Sequence, residues 1–262
     1  MEFFGYLLAI IIGFFLGIFG GGGSLLAVPV FAYIFTLDEK AATAYSLFTV
    51  GIGSLIGAIK QQKNIDFRIA IIFGIPSIIG VWIIRFFIVP TLPDTIFKID
   101  DFILTRRMLM FGVFSLMLFF SAFSMIYDSN KNIEPKKINN LYSLIILEGL
   151  IVGGLTGLVG AGGGFLIIPA LVIFIGLDIK KAIATSLLII SLKSTFGFLF
   201  GDMLVMNIDW EFLLSFTFLT ILGILLGSYV GLYIKKSNLK KWFGIFILTV
   251  AIFVFIKEFI NN

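Results

Sequence analysis

The chain alternates long apolar stretches with short polar connections. Apolar residues dominate approximately at 3–36, 41–59, 67–90, 102–127, 141–176, 182–201, 210–234 and 242–260. A simple membrane-spanning helix needs about 20 apolar residues. Most of the stretches are close to that length, whereas the first and the fifth are too long for one ordinary span. The pattern therefore predicts an all-α polytopic membrane protein.

Each of the two overlong stretches carries a glycine run in its middle. The first run spans Gly20–Ser24 and the second spans Gly160–Gly164, and each is followed by apolar residues and a proline. Glycine runs break helices, and a broken helix deep in a bilayer is tolerated only where protein or a water-filled cavity covers the backbone. Each run therefore predicts a Gly-broken helix or the tip of a re-entrant hairpin.

The two glycine runs belong to halves that repeat each other. At an offset of 140 positions, residues 13–57 match residues 153–197 at 16 of 45 places. The matches keep Gly, Pro, Asp, Lys and Ser in the same order, which shared apolar composition alone would not do. We therefore predict two four-segment repeats in a single membrane domain at 1–262, divided into a first repeat at 1–127, a linker at 128–140 and a second repeat at 141–262.

The positions of Lys and Arg in the loops distinguish parallel from inverted repeats, because basic loop residues favour the cytoplasmic side. If every apolar stretch crosses the membrane once, the loop Lys and Arg divide 7 against 10 between the two sides. If each glycine run is instead the tip of a hairpin, they divide 12 against 5. The stronger bias favours hairpins and inverted repeats, an arrangement found in many secondary transporters, with both termini outside.

The composition narrows the possible functions. The chain is 60% hydrophobic and 13% charged, and it has no Cys and no His. Disulfides, thiol nucleophiles and thiolate metal sites are therefore excluded, and the commonest metal ligand is missing. We expect no cofactor, no metal and no catalytic residues. The net charge of +4 comes from basic residues between apolar stretches, so the expected partners are the lipid bilayer and a small solute, not nucleic acid.

The glycine runs also supply candidate binding atoms. The segment after each run begins with amides that have no intrahelical partner, and the helix dipole adds partial positive charge there. Two such helix N-termini meeting at the midplane would suit a small anion, whereas the alternative interpretation is tight helix packing without a ligand. The candidate substrate-binding residues are Gly20, Gly21, Gly22, Gly23, Ser24, Ser46, Gly160, Gly162, Gly163, Gly164, Ser186 and Lys193.

Two charged residues fall inside apolar stretches near the second run. Lys193 lies 12 positions into the span that starts at Ala182, near mid-bilayer, where a charge costs at least about 2.5–3.5 kcal/mol. Such a residue is a functional candidate that could attract an anion or carry a proton. The alternatives are a structural pair with Glu148 or snorkelling to a cavity. Glu148 is the proton-coupling candidate, and it could equally be the partner of Lys193.

Other polar and small residues have mainly structural interpretations. The repeat-matched Ser46 and Ser186 could donate hydrogen bonds to an anion or to a neighbouring helix. Arg85, near the outer end of its span, is expected to snorkel. Four carboxylates are expected to cap helices, namely Asp38, Asp66, Asp178 and Asp209. Close helix contacts are expected at the glycines that recur every four residues, namely Gly13, Gly17, Gly53, Gly57, Gly149, Gly153, Gly223, Gly227 and Gly231.

The duplicated pattern Gly-x-x-Gly-x-Gly-Gly, followed by an apolar run and a proline, resembles the TauE/SafE sulfite exporter family. The segments Ala44–Leu47 and Ala184–Leu187 add to the resemblance, which covers nearly the whole chain. It implies transport of sulfite, sulfoacetate or related sulfur-containing organic anions, usually outward, across the prokaryotic cytoplasmic membrane. It also implies a site at the two glycine runs. Lys193 departs from the family pattern, which more often has a neutral polar residue there.

These features together predict a secondary transporter of small anions that works by alternating access in the cytoplasmic membrane. An anion channel would share the same anion site. A membrane scaffold or assembly protein would need neither Lys193 nor the duplicated helix breaks. An intramembrane enzyme is disfavoured, because Cys and His are absent and Glu148 is the one convincing buried carboxylate.

Overall fold

The computed structural model of the protein describes residues 2–99, 102–127, 141–173, 175–231, 233–234 and 236–259. The α-helices are α1 (Glu2–Phe19), α2 (Ala27–Pro29), α3 (Glu39–Lys60), α4 (Phe67–Ile83), α5 (Arg106–Tyr127), α6 (Leu141–Val159), α7 (Gly164–Ile173), α8 (Ile179–Phe200), α9 (Trp210–Gly231) and α10 (Lys236–Phe259). Helical turns of other types occur at Gly20–Leu26, Gln62–Asn64 and Asp202–Leu204, which are 3-10, and at Val30–Ile34 and Ile84–Ile88, which are π.

Seven helical stretches of the described chain are long and apolar enough to cross a membrane. They are Phe4–Ile34, which is broken at the first glycine run, Glu39–Lys60, Phe67–Ile88, Arg106–Ile126, Ile179–Leu204, Trp210–Gly231 and Lys241–Phe259. Two shorter apolar helices flank the second glycine run. The prediction of a helical polytopic membrane protein is therefore confirmed. The predicted linker at 128–140 lies outside the described residues.

A short antiparallel hairpin departs from the all-α prediction. Strands β1 (Thr95–Ile99) and β2 (Phe102–Thr105) pair between α4 and α5. Both strands are rich in Thr, Ile and Phe, which fit a pleated surface better than a helix. The fourth apolar stretch therefore begins as a strand, and α5 starts four residues later, at Arg106.

The first glycine run reverses the direction of the chain. Gly20 has a φ of +62°, a backbone conformation that glycine adopts readily and other residues avoid. A Cβ atom on Gly23 would collide with the backbone of Leu16 in the preceding helix. Further along, the ring of Phe35 packs edge-on against that of Tyr6, with 5.9 Å between centroids. The segment after the run therefore returns along α1.

The second glycine run also turns through left-handed backbone. Gly160 and Gly163 have φ values of +72° and +80°. Beyond the turn, the ring of Phe165 packs against that of Phe114 in α5 at 5.8 Å, and Ser121 Oγ donates a hydrogen bond to the carbonyl of Phe165. The helix after the run thus packs beside α5.

Two helices from residues 2–127 each pack along a helix from residues 141–259. α1 runs parallel to α9, because Gly223 lies against the carbonyl of Ile10 and Gly227, one turn later, lies against that of Phe14. Small residues let helix backbones approach this closely in a bilayer. α4 runs parallel to α6 in the same way, through the pairs Phe73–Gly149 and Ser77–Gly153. The predicted glycine contacts are confirmed for these helices.

Helices that match each other in the two repeats pack antiparallel. Gly51 of α3 faces Thr195 of α8, whereas Gly57, later along α3, faces the earlier Leu187. α5 and α10 are also antiparallel, as shown by the contacts Gly112–Phe259 and Gly244–Ile126.

Two of the capping residues also link distant parts of the chain through their backbone amides. Asp66 and Asp209 cap α4 and α9, because a side-chain oxygen of each accepts a bond from the amide three residues on. Asp38 caps α3 in the same manner, so three of the predicted caps are confirmed. The backbone amide of Asp66 donates to Thr185 Oγ1 at 2.9 Å, and that of Asp209 donates to Tyr45 Oη at 2.8 Å. Thr185 and Tyr45 occupy matching positions in the two repeats.

We expect Gly153→Ala to destabilise the protein in detergent by about 1–3 kcal/mol, because its Cβ would collide with the backbone of Ser77 and force α6 from α4. Gly74→Ala is the matched control, because its Cβ would meet only Ile189 Cγ1, at 4.0 Å. Thermal unfolding of the two variants, followed by circular dichroism, checks the prediction. Equal melting temperatures would contradict the close α4–α6 contact.

Candidate functional site

The two glycine runs touch each other inside the protein. A Cβ atom on Gly164 would collide with the backbone of Gly21, and a Cβ atom on Gly162 would lie 2.9 Å from Ser24 Oγ. Both runs are buried throughout. The structure therefore brings together four of the candidate residues that the sequence places 140 positions apart.

The other glycines of the first run face helices instead. A Cβ atom on Gly20 would meet Ile183, one on Gly22 would meet the ring of Phe243, and one on Gly23 would meet α1. These glycines allow close packing around the first run. They do not face the second run.

Lys193 lies in α8 and is fully buried. Its Nζ donates a hydrogen bond to Thr156 Oγ1 and lies 2.9 Å from the position that a Cβ atom on Gly163 would occupy. The ammonium group therefore faces the second glycine run. None of the ion pairs within the described part of the chain involves Lys193. The alternative of a structural pair with Glu148 is not found.

Glu148 lies in α6, nearer its N-terminus than Thr156. Its Oε2 atom is buried and has no hydrogen-bond partner among the described residues. Thr156, which holds the lysine, is eight residues later in the same helix, a rise of about 12 Å. The structure thus separates the proton-coupling candidate from the glycine runs.

The candidate serines differ in how their hydroxyl groups are used. Ser24 Oγ donates to the carbonyl of Gly21 at 2.6 Å, and Ser186 Oγ donates to that of Ile183 at 2.8 Å. Ile183 is also the residue that faces Gly20, so Ser186 lies behind the first run. Ser46 is fully buried, and its Oγ has no partner among the described residues.

Arg85 does not snorkel, and that prediction is wrong. It is fully buried in the π-helical turn at the end of α4, where Nη1 donates to Asp202 Oδ1 at 3.0 Å and to Thr43 Oγ1 at 3.1 Å. Its Nη2 lies 2.6 Å from the position of a Cβ atom on Gly160. Gly201 packs closely against Arg85, because a Cβ atom there would come within 2.6 Å of the arginine Cβ.

Sequence reasoning missed the partners of both cations. Thr156 and Asp202 were not singled out, although each has a recognisable signal. Thr156 is a hydroxyl residue among apolar residues and glycines, one position before the second glycine motif begins at Gly157. Asp202 directly follows an apolar stretch, and a carboxylate at a span end can pair with an arginine inside another span.

Two cavities lie toward opposite ends of α1. One of about 390 Å³ lies near the starts of α1, α3 and α9 and is lined by Tyr6, Phe35, Tyr45, Asp209, Glu211 and Phe212. The other, of about 30 Å³, lies near the end of α1 and is lined by residues that include Gly17, Gln61, Asn64, Lys180, Ile183 and Ser228.

Multiple apolar helices and buried cations at broken helices define a multi-pass membrane protein with a polar interior site. The family model described as sulfite exporter TauE/SafE matches residues 6–254. The chain belongs to the TauE/SafE family, which confirms the resemblance seen in the sequence. It is therefore a membrane transport protein and not an enzyme, as predicted.

Three relatives are named probable membrane transporter proteins. The one from Methanocaldococcus jannaschii is 32% identical over 206 residues, which cover 72% of this chain and 70% of the relative. That from Xylella fastidiosa is 26% identical and covers 93% of this chain and 91% of its own length. That from Haemophilus influenzae is 27% identical, with 94% of each chain covered. No solved structure shows significant similarity to the chain.

We expect the stability of the protein to change differently when each of the two buried cations is neutralised. Arg85→Met leaves Asp202 as an uncompensated buried charge, which should destabilise the protein by about 3–5 kcal/mol. Lys193→Met removes a buried charge that has no carboxylate partner in the described structure, so stability should stay the same or rise. Thermal unfolding in detergent compares the two variants. If Lys193→Met proved as damaging as Arg85→Met, Lys193 would have an undetected structural counter-charge.

Proposed function

We propose that the protein is a secondary transporter that moves a small anion across the cytoplasmic membrane by alternating access between two halves. Lys193 carries this proposal, because it places a fully buried ammonium group at the second glycine run without a carboxylate partner among the described residues. A buried charge is costly in a bilayer unless something neutralises it. A transported anion would supply that neutralisation.

The remaining contacts to the anion would come from backbone and hydroxyl groups. α7 begins at Gly164, the residue after Gly163, which faces Lys193. The first amides of a helix are free to donate, and its dipole favours negative charge. Glycines 162 to 164 would let a small oxyanion reach those amides. Ser24 and Ser46 are further candidates, since each hydroxyl oxygen can still accept or reorient.

We also propose that the halves are inverted repeats. The support is the antiparallel packing of the matching helices α3 and α8, and of α5 and α10. Antiparallel packing of equivalent helices corresponds to a two-fold axis perpendicular to them, which lies in the membrane plane when the helices cross the membrane. The return of the first segment along α1 and the 12-to-5 division of loop charges support the same topology.

The proposed substrate class is a sulfur oxyanion or an organosulfonate. Its support is membership of the sulfite exporter TauE/SafE family. The proposed donors, the Lys193 ammonium group and the first backbone amides of α7, also suit a small oxyanion. A carrier is favoured over an anion channel, because the backbones of Gly21 and Gly164 are in contact and pack the space between the halves. A compact anion would bind when the runs separate.

The transport prediction compares Lys193→Met with Lys60→Met, a control whose side chain is exposed. We expect proteoliposome uptake of labelled sulfite or sulfoacetate to need about 10- to 100-fold more substrate for half-saturation in Lys193→Met, because one charge-assisted contact of about 1.5–3 kcal/mol is lost. Lys60→Met should behave like the wild type. Equal uptake of sulfite, sulfate, sulfoacetate and chloride, unaffected by Lys193→Met, would refute the proposed site.

The topology prediction uses the natural absence of cysteine. In intact cells, a membrane-impermeant maleimide should label Asp94→Cys, outside, but label Lys63→Cys, inside, only after the membrane is permeabilised. Both positions are exposed in the structure. Labelling of Lys63→Cys in intact cells would rule out the proposed orientation.

A further inference from the structure

The guanidinium group of Arg85 is only partly used by its partners. Nη1 makes both of the hydrogen bonds that the side chain donates, to Asp202 and to Thr43. Nε and Nη2 are buried and have no hydrogen-bond partner within the described structure. Buried donors are normally paired. The Nε–Nη2 edge of a guanidinium group can donate two parallel hydrogen bonds to two oxygens of a carboxylate or oxyanion, in the side-on geometry. The unpaired edge is therefore shaped for an anion.

One nitrogen of the free edge, Nη2, lies at the second glycine run. Nη2 lies 2.6 Å from where a Cβ atom on Gly160 would be, so any side chain at that position would occupy the space in front of the guanidinium. Lys193 faces Gly163, three residues further along the same run. Two buried cations therefore flank one glycine run.

The matching place in the other half shows that the fold does not require this charge. Gly20 faces Ile183, just as its repeat mate Gly160 faces Thr43. The residue that matches Arg85 at the offset of 143 is Ser228, which lines the cavity of about 30 Å³. The stretch around Ser228 is also regular α-helix, whereas Arg85 lies in a π-helical turn, a feature often found at functional sites.

We propose that Arg85 is a second anion-binding station, at which an oxyanion leaving Lys193 binds side-on to Nε and Nη2 while Asp202 stays on Nη1, so that two anions share the single guanidinium charge. Without an anion, Asp202 holds Arg85 in place and balances its charge. With an anion on the free edge, its negative charge repels the Asp202 carboxylate, so the Asp202 contact weakens and the end of the bundle near α3 and α8 can open. This inference rests on the proposed function and adds an exit step to it.

The test uses two conservative variants that should change binding in opposite directions. Arg85→Lys keeps the charge and the Asp202 pair but loses the two-nitrogen edge, so we expect binding of labelled sulfite in detergent to weaken at least about 10-fold. Asp202→Asn removes the negative charge beside the anion with little change of shape, so sulfite should bind more tightly and raise the melting temperature more than in the wild type. A merely structural ion pair would not produce this opposite pair of shifts.

The outcomes separate this inference from the proposed function. If wild-type protein binds sulfite, Lys193→Met loses binding, and both Arg85→Lys and Asp202→Asn bind like the wild type, the second station is wrong while the proposed site stands. If wild-type protein binds none of the anions tested, the proposed function is wrong, and the second station, which rests on it, is wrong as well. Should Asp202→Asn not fold, unchanged sulfite binding in Arg85→Lys would still overturn the station.

Discussion

The contact between the two glycine runs is the constraint on which the rest of the arrangement depends. Inside a bilayer, backbone that leaves regular helix must be covered by protein or face a water-filled cavity. Here each run helps to cover the other, because the backbone of Gly21 occupies the space that a side chain on Gly164 would need. α7 begins at Gly164, a residue of this contact. Lys193 of α8 faces Gly163, in the turn just before that helix.

Features that depend on residue type and local spacing could be predicted from the sequence. The apolar spans, the capping carboxylates and the glycine contact faces need only short-range patterns, and the structure contains them. The β1–β2 hairpin was missed because its Ile and Phe residues merge with the apolar start of the next stretch. The assignment of the glycine runs and Lys193 as a binding site stays a prediction.

The direction of a side chain inside a span could not be predicted in the same way. The span that contains Arg85 is apolar on nearly every face, so its pattern does not distinguish a lipid-facing arginine from a buried one. Burial results from a π-helical turn and from glycines at 160 and 201, which are distant in sequence. Thr156 illustrates the same difficulty, because only the folded chain brings its hydroxyl to Lys193.

The two halves share a backbone plan but not a charge distribution. The first run faces Ile183 and Ile190, whereas the second faces Lys193 and Arg85. A symmetric carrier could exchange the roles of its halves during transport, but this one places both buried cations beside the same run. In the proposed carrier, the anion would therefore stay with the second run, where its charge is balanced. The apolar surroundings of the first run would move relative to the anion, because they present no charged side chain that would hold it.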